Sequence, residues 1–560
     1  MKKIISSAFA VAFGLSMATS CIEEYNPQTS YVSEDQAADA PGSFQNFVNA
    51  ITAPLVGEPN YTSLSDLVSY PSDFGYPGFF QQRDVMGQDL VPLGANNTFQ
   101  TWYQCSVALG PQYAICQMPW TEYYNWIKNC NTVIGMAGEN PSEEHMAGVG
   151  IAYAMRAMFY MDMARMFAQK TYALDKQAET VPIITEQTSP EAATNNPRAT
   201  NEAMWAFILS DLDKAEQYIA GYTRKDLSTP DLSVVYGLKA RAYLTMENWP
   251  EAEKYAKLAQ EGYTMLSESE YLDRENSFNN TNNNSWMLGL TFTSDDECIN
   301  YNDGDSSWGS LMSIEMTVGN GYSGYAANYG CPTVIDRHLY ETIPVTDYRK
   351  QLFIDFSLDE MTDPNAVLEA LSDYTDYPEN VYNTGSACGF LGGLSLKFRP
   401  AGGDAGRDDY HIGFVQSVPL MRVEEMMLIE AEAAGMQEES RGIQLLTNFA
   451  KARDPQYVYG THNEAYYNNS TSAFQNEVWW QRRVELWGEG FATFDIKRLN
   501  KGIIRSYANT NHVEKYRWNV QTPPEWMNLC IVQTETNYNT ACTNNPTPQP
   551  LDSDSPEYVW

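Results

Sequence analysis

The side chains that ordinarily carry catalysis are sparse in this chain and poorly spaced. Its five histidines, His145, His338, His411, His462 and His512, are scattered, and none stands in an H-E-x-x-H frame. Gly321-Tyr-Ser-Gly324 lacks the G-x-S-x-G frame of a nucleophile elbow. Asn302-Asp-Gly-Asp305 offers oxygens suited to calcium but neither the D-x-D-x-D-G loop nor its closing glutamate, so it reads as a turn. With 71 aspartates and glutamates, composition alone leaves a glycosidase pair open, yet no two carboxylates stand out as one. Apart from Cys21, the cysteines are Cys105, Cys116, Cys130, Cys298, Cys331, Cys388, Cys530 and Cys542, without C-x-x-C pairing, which argues against zinc or a redox motif. Cys105 and Cys116 are the nearest candidates for a disulfide; free buried thiols fit a chain of this length equally well. No catalytic residue, metal ligand or cofactor is assigned.

What the chain does offer is binding chemistry. Sugar rings have apolar C–H faces and polar rims, which suit aromatic side chains flanked by Asn, Asp, Gln and Arg. Two stretches have that composition. In the first, Tyr76, Phe79 and Phe80 lead into Arg83-Asp84, Gln88-Asp89, Asn96-Asn97 and Trp102-Tyr103. In the second, Trp286 follows the run Asn279–Ser285, Trp308 follows Asp303 and Asp305, and Tyr322, Tyr325 and Tyr329 alternate with small and polar residues. Trp102 and Trp308 are the leading stacking candidates. Arg83 and Asp84 are the hydroxyl-binding partners, and Trp286, Tyr322 and Tyr325 complete the set. Each stacked ring contributes at most about 2 kcal/mol, so two or three platforms give micromolar to millimolar capture.

The elements that would hold such side chains are helical. Met204, Phe207, Ile208, Leu212, Ala215 and Ile219 share one helical face, with Asp211, Asp213 and Lys214 off it. Residues 233–260 read as two helices broken at Asn248-Trp-Pro250, with small residues at the crossing, a helix–turn–helix of tetratricopeptide type. Gly148–Phe167 with Asn201–Ala220, Trp120–Ala137, and Leu420–Ala434 with Gly442–Ala452 read as further, degenerate units. Residues 271–415 break this pattern with Asn- and Gly-rich clusters, where short strands and small helices are expected. The tail after Thr522 is expected to wrap the surface or fray. The fold class is mostly α: tetratricopeptide-like pairs form a scaffold around an irregular insertion.

Gln481-Arg-Arg-Val-Glu-Leu-Trp-Gly-Glu-Gly-Phe-Ala-Thr-Phe-Asp-Ile-Lys-Arg-Leu-Asn-Lys501 resembles the C-terminal signature of SusD/RagB-type nutrient-binding lipoproteins. Arg156–Phe167 is similar to that family's first long repeat helix and Pro419–Ala433 to its penultimate helix. The charges of these segments, Arg482, Arg483, Glu485, Asp495 and Arg498, with Arg156, Asp162, Arg165, Arg422 and Glu430, read as buried ion pairs, because a lone buried charge costs several kcal/mol. The resemblance implies glycan capture in loops near the two aromatic stretches, without catalysis, and handover to a TonB-dependent, SusC-like transporter.

The start of the chain agrees with export. Lys2 and Lys3 precede an apolar run from Ile4 to Met17, a signal peptide over residues 1–20 too short to span a bilayer. Ala18-Thr19-Ser20 before Cys21, with Ile22-Glu23-Glu24 after it, is similar to the lipidation and surface-export signal of Bacteroidetes lipoproteins. Lipid on Cys21 would anchor the protein at the outer membrane; ordinary cleavage after Ser20 would release it. Losing Lys2 and Lys3 takes the formal charge from −36 to −38, which disfavours nucleic acid and anionic headgroups. The expected organisation is a signal peptide, a linker over 21–42, a helical part over 43–270, a variable part over 271–415, and a C-terminal helical part with tail over 416–560. Three other functions compete: a peptide-capturing member of the same family, a helical-repeat scaffold for a protein partner, and a glycosidase.

Overall fold

Helix-forming periods in the sequence become long, capped helices. The computed structural model describes residues 42–57, 75–93, 99–105, 109–318, 323–328, 332–463, 471–549, 551 and 555–560. The expectations for the signal peptide, Cys21, Asn96-Asn97, Tyr322, Tyr329 and Cys331 lie outside them. The chain divides at Asn46; of the unit Met1–Asn46 only residues 42–46 are described, and all that follows concerns Phe47–Trp560.

The longer helices are α1 (Gly78–Asp84), α2 (Ala114–Ala137), α3 (Met146–Phe167), α4 (Asn201–Ile219), α5 (Leu232–Thr245), α6 (Trp249–Ala259), α7 (Val423–Gln437), α8 (Glu439–Arg453), α9 (Ala473–Glu485) and α10 (Ala492–Arg498). Their starts follow local chemistry. Thr200 and Asp231 accept the first free N–H groups of α4 and α5, Pro250 stands in the first turn of α6, and Ser472 with Gln475 closes a capping box on α9. Successive helices pack as pairs, α3 on α4, α5 on α6 and α7 on α8, and α6 also packs on α7. The scaffold thus closes across the middle segment. Small residues set the closest crossings: a Cβ on Gly442 of α8 would lie 2.3 Å from the Gly435 Cα of α7.

Two details depart from the periodicity. Asp211, expected on the outer face of α4, is buried, because Arg156 of α3 holds it through two hydrogen bonds of 2.7 and 2.8 Å. The helix expected from Leu420 starts at Val423. Val418–Arg422 is instead a strand that pairs antiparallel with Trp286–Leu290, and Pro419 has no amide N–H to give a helix. That two-stranded sheet stitches the middle segment to α7.

Across 271–415 the described residues form short strands, single-turn helices, and two helices, Pro364–Leu371 and Pro378–Cys388. After Thr522 the tail wraps the helical body: the Asn545 amide donates to Phe167 O and its oxygen accepts from Arg198. All seven described cysteines are thiols, Cys105 and Cys116 included. No described helix is long and apolar enough to cross a membrane.

Candidate functional site

The charged segment Gln481–Lys501 builds the interior. Helix α9 delivers Glu485 among three guanidiniums: it accepts from Arg453 at 3.0 and 3.1 Å, from Arg422 at 3.2 Å and from Arg349 at 3.3 Å. Glu489, in the turn beyond, accepts from Lys397 at 2.7 Å and from Arg422 at 2.8 Å. Arg483 grips Asp89, Arg482 pairs with Asp495, and Arg498 joins Asp495 to Glu432. Arg156 pairs with Asp211 and Arg165 with Asp162 in the interior, as the sequence leads one to expect, whereas Glu430 meets the exposed Lys257 at 3.7 Å near the surface. Burial alone would raise the Glu485 carboxyl; Arg453, Arg422 and Arg349 instead hold it well below the usual carboxylate range. These carboxylates are committed to fixed cations, and their role is to lock α7, α8 and α9 to the middle segment.

Gly490 shows how tightly that lock closes. At φ +82° it lies in the left-handed region, and a Cβ there would sit 2.6 Å from Arg83 Nη2 and 2.7 Å from Phe80 Cδ1. Arg83 donates to Gly490 O at 3.2 Å and pairs with Asp162 at 3.5 Å; Asp84 accepts the N–H groups of Gly490 and Ala492 at 2.9 and 3.1 Å. Burial pushes the Asp84 carboxyl up to about 7. Both residues are interior links between α1 and the glycine turn rather than exposed hydroxyl binders.

The aromatic candidates are likewise turned inward. Trp102, Trp286 and Trp308 are each 1 % exposed. Trp102 packs on Phe99, and Trp308 meets Phe398 edge-on at 5.0 Å and Phe80 at 6.2 Å. The polar residues flanking them in sequence do not set their direction. Helix placement does, and burial of a large ring outweighs the polarity of its neighbours. In this structure neither Trp102 nor Trp308 presents a ring face to a ligand. Tyr325 is half-buried, with its N–H donated to Ser310 Oγ at 2.9 Å, and Tyr322 lies outside the described residues.

Trp286, though buried, forms part of the floor of an open cavity. This cavity, of about 280 Å³, has Leu266, Phe278 and Trp286 as its apolar lining and Glu270, Asp273 and the asparagines at 276, 280, 282 and 283 as its polar lining. The loop is held by its own amides. Asn283 Oδ1 accepts from Ser285 N and Trp286 N at 2.9 and 3.0 Å, and Asn280 Oδ1 accepts from Asn282 N at 2.9 Å. Asp273 accepts the N–H groups of Glu275 and Asn276 at 2.9 and 2.7 Å. Asn276 and Asn282 are exposed, and the Asn282 side chain has no partner among the described residues. A preformed rim of amides and two carboxylates, Glu270 and Asp273, over an apolar floor can take a polyhydroxylated ligand by hydrogen bonding. The run Asn279–Ser285 marked this loop in the sequence. Its individual asparagines escaped selection because a run of turn-forming residues does not reveal which amides face a cavity. Among the described residues no group of three or more His, Cys, Asp or Glu is placed to hold a metal ion.

Residues 86–244 match a family model described as SusD-like, starch-binding associating with outer membrane. A SusD-like protein, P38, of Formosa agariphila is 24 % identical over 418 residues, covering 70 % of this chain and 74 % of that protein. A SusD-like carbohydrate-binding protein from Bacteroides vulgatus has the same fold, with TM-score 0.67 at 22 % identity over 90 % of this chain and 97 % of that one. So does surface glycan-binding protein A from Bacteroides thetaiotaomicron, solved with laminarihexaose, with TM-score 0.63 at 16 % identity over 90 % and 99 %. The matched segment, the curated relative and the fold thus all point the same way: the chain is similar to SusD-like proteins in sequence over part of its length and in fold over most of it.

Proposed function

We propose that this protein is a surface-exposed outer-membrane lipoprotein, anchored through Cys21, that captures oligosaccharide without catalysis and passes it to a TonB-dependent, SusC-like transporter. The observation that carries the capture step is the 280 Å³ cavity with its Asn-rich rim on a rigid, ion-paired scaffold. The match of residues 86–244 to the SusD-like family model supports it, as does the fold shared with a protein solved with laminarihexaose bound. The proposed binding surface is therefore the rim of Asp273, Asn276 and Asn282, with Trp286 buried in the floor beneath it, rather than the inward-packed Trp102 and Trp308. Export and anchoring rest on the signal-like start and on Cys21, and the transporter partner on the family.

Calorimetry of the mature protein against a panel of neutral glycans and peptides tests the reading. A glycan should bind, and Asn276→Ala with Asn282→Ala should weaken it by roughly tenfold, the equivalent of about 1.4 kcal/mol, at unchanged thermal stability. Binding of a peptide and of no glycan would make this a peptide-capturing relative. Shortened products after incubation with oligosaccharide would make it a glycosidase.

A further inference from the structure

A second open cavity, of about 360 Å³, lies away from the Asn-rich loop and shares no residue with it. It opens where the chain leaves α3, beside the C-terminal end of α10 and the segment Thr522-Pro523. Its polar lining is Gln169, Lys170, Thr171, Lys497, Asn500 and Thr522, and no carboxylate lines it. In a chain of formal charge −36 that is unusual.

Two buried groups in this wall lack the partners that burial normally demands. Lys497 is 5 % exposed, and its ammonium donates to two carbonyl oxygens, of Arg165 and of Ala168. It forms no ion pair with a described carboxylate, unlike Lys397, which has Glu489 at 2.7 Å, and Lys239, which has Asp213 at 2.6 Å. The charged group nearest it in effect is the Arg165 guanidinium. Burial, with Arg165 adding to it, pushes the Lys497 ammonium down to about 7. Thr171 is 7 % exposed, and its Oγ1 has no hydrogen-bond partner among the described residues. A buried ammonium without a counter-ion and an unsatisfied hydroxyl each cost free energy that an anionic ligand would recover. The ammonium retains a third donor, and Lys170, on the exposed lip, adds a second positive charge.

We propose that this cavity is a binding site for an oxyanion, a carboxylate or a sulfate, carried by a ligand up to the size of a sugar unit, with Lys497, Thr171 and Lys170 as its contacts. A purely structural role for Lys497, capping the carbonyls at the end of α3, would affect stability and leave anion binding untouched. The proposal is independent of glycan capture at the Asn-rich loop, and either can fail alone.

The test is calorimetry of the mature protein at constant ionic strength with glucuronate, inorganic sulfate and, as the neutral control, glucose. At least one anion should bind with a dissociation constant in the millimolar range or tighter. Thr171→Val and Lys170→Ala should each weaken it by roughly threefold, and Lys497→Met by tenfold or more. Asn282→Ala should leave it unchanged. Glucuronate without sulfate would identify an acidic sugar, and sulfate without glucuronate a sulfate ester. Failure of both anions at about 10 mM, equal binding of glucose, or anion binding indifferent to Thr171→Val and Lys170→Ala would overturn the proposal. Because those two substitutions lie outside α10 and the ion network, the result stands even if Lys497→Met fails to fold.

Discussion

Glu485→Gln keeps the shape of the side chain and removes its charge from among Arg349, Arg422 and Arg453. Breaking a fully buried ion pair costs about 3–5 kcal/mol. The cost does not triple here, because Asp347, Glu489 and Glu424 each still hold one of the three guanidiniums. Unfolding entropy of about 2.1 cal/mol/K per residue, summed over Phe47–Trp560, comes to about 1 kcal/mol/K. The thermal midpoint should therefore fall by about 3–5 °C if the unit melts as one, and the urea midpoint should fall at unchanged slope. Acid provides a second reading. The folded Glu485 carboxyl lies below its unfolded value of about 4.3, so its stabilisation is complete above that pH and is lost as pH falls toward the folded value. Glu489 and Asp495 are shifted in the same direction. Below about pH 4 the wild type should lose stability more steeply than Glu485→Gln. A midpoint shift under about 1 °C, or identical acid slopes, would refute the assignment of this carboxylate as the centre of the lock.

Two further substitutions separate packing from binding. Trp308→Ala and Trp102→Ala should each cost about 3–5 kcal/mol in denaturant titrations, as for any fully buried tryptophan, and leave the glycan affinity of the folded protein unchanged. Lost affinity at intact stability would return the rings to the ligand site. Gly442→Ala should destabilise despite alanine's helix propensity, because overpacking against Gly435 costs about 1–3 kcal/mol and the propensity gain is about 1 kcal/mol at most. A stability gain in thermal melts would show that α7 and α8 can part without cost.

The legible part of this protein was the part governed by local rules. Thr200, Asp231 and the Trp-Pro turn at 249–250 set helix starts that the structure places within a few residues of their expected positions. The charges of the Gln481–Lys501 stretch had to be paired wherever they landed, since their apolar companions carry them inside. Which partner each would find was not legible: Arg483 meets Asp89 from the other end of the chain, and Arg349 reaches Glu485 from the middle segment. Asp211 looked like a surface residue until Arg156 of a neighbouring helix drew it in.

The site was less legible for the same reason. Trp102 and Trp308 have polar sequence neighbours, yet the direction of a ring depends on the packing of elements distant in sequence, and both rings fill interior space. The asparagines at 280, 282 and 283 were visible only as a turn-rich run, and Asn276 stood outside it. The cavity they rim exists because the strand Trp286–Leu290 is pinned to Val418–Arg422, more than 120 residues away. By itself the sequence determined the resemblance to SusD-like proteins, the helical scaffold and the demand that its buried charges be neutralised, because motif wording, capping, periodicity and desolvation act over short range. Tertiary structure alone decided which rings face inward, which amides face a cavity, and which ammonium remains without a described carboxylate. Those outcomes depend on distances between segments that chain connectivity leaves free.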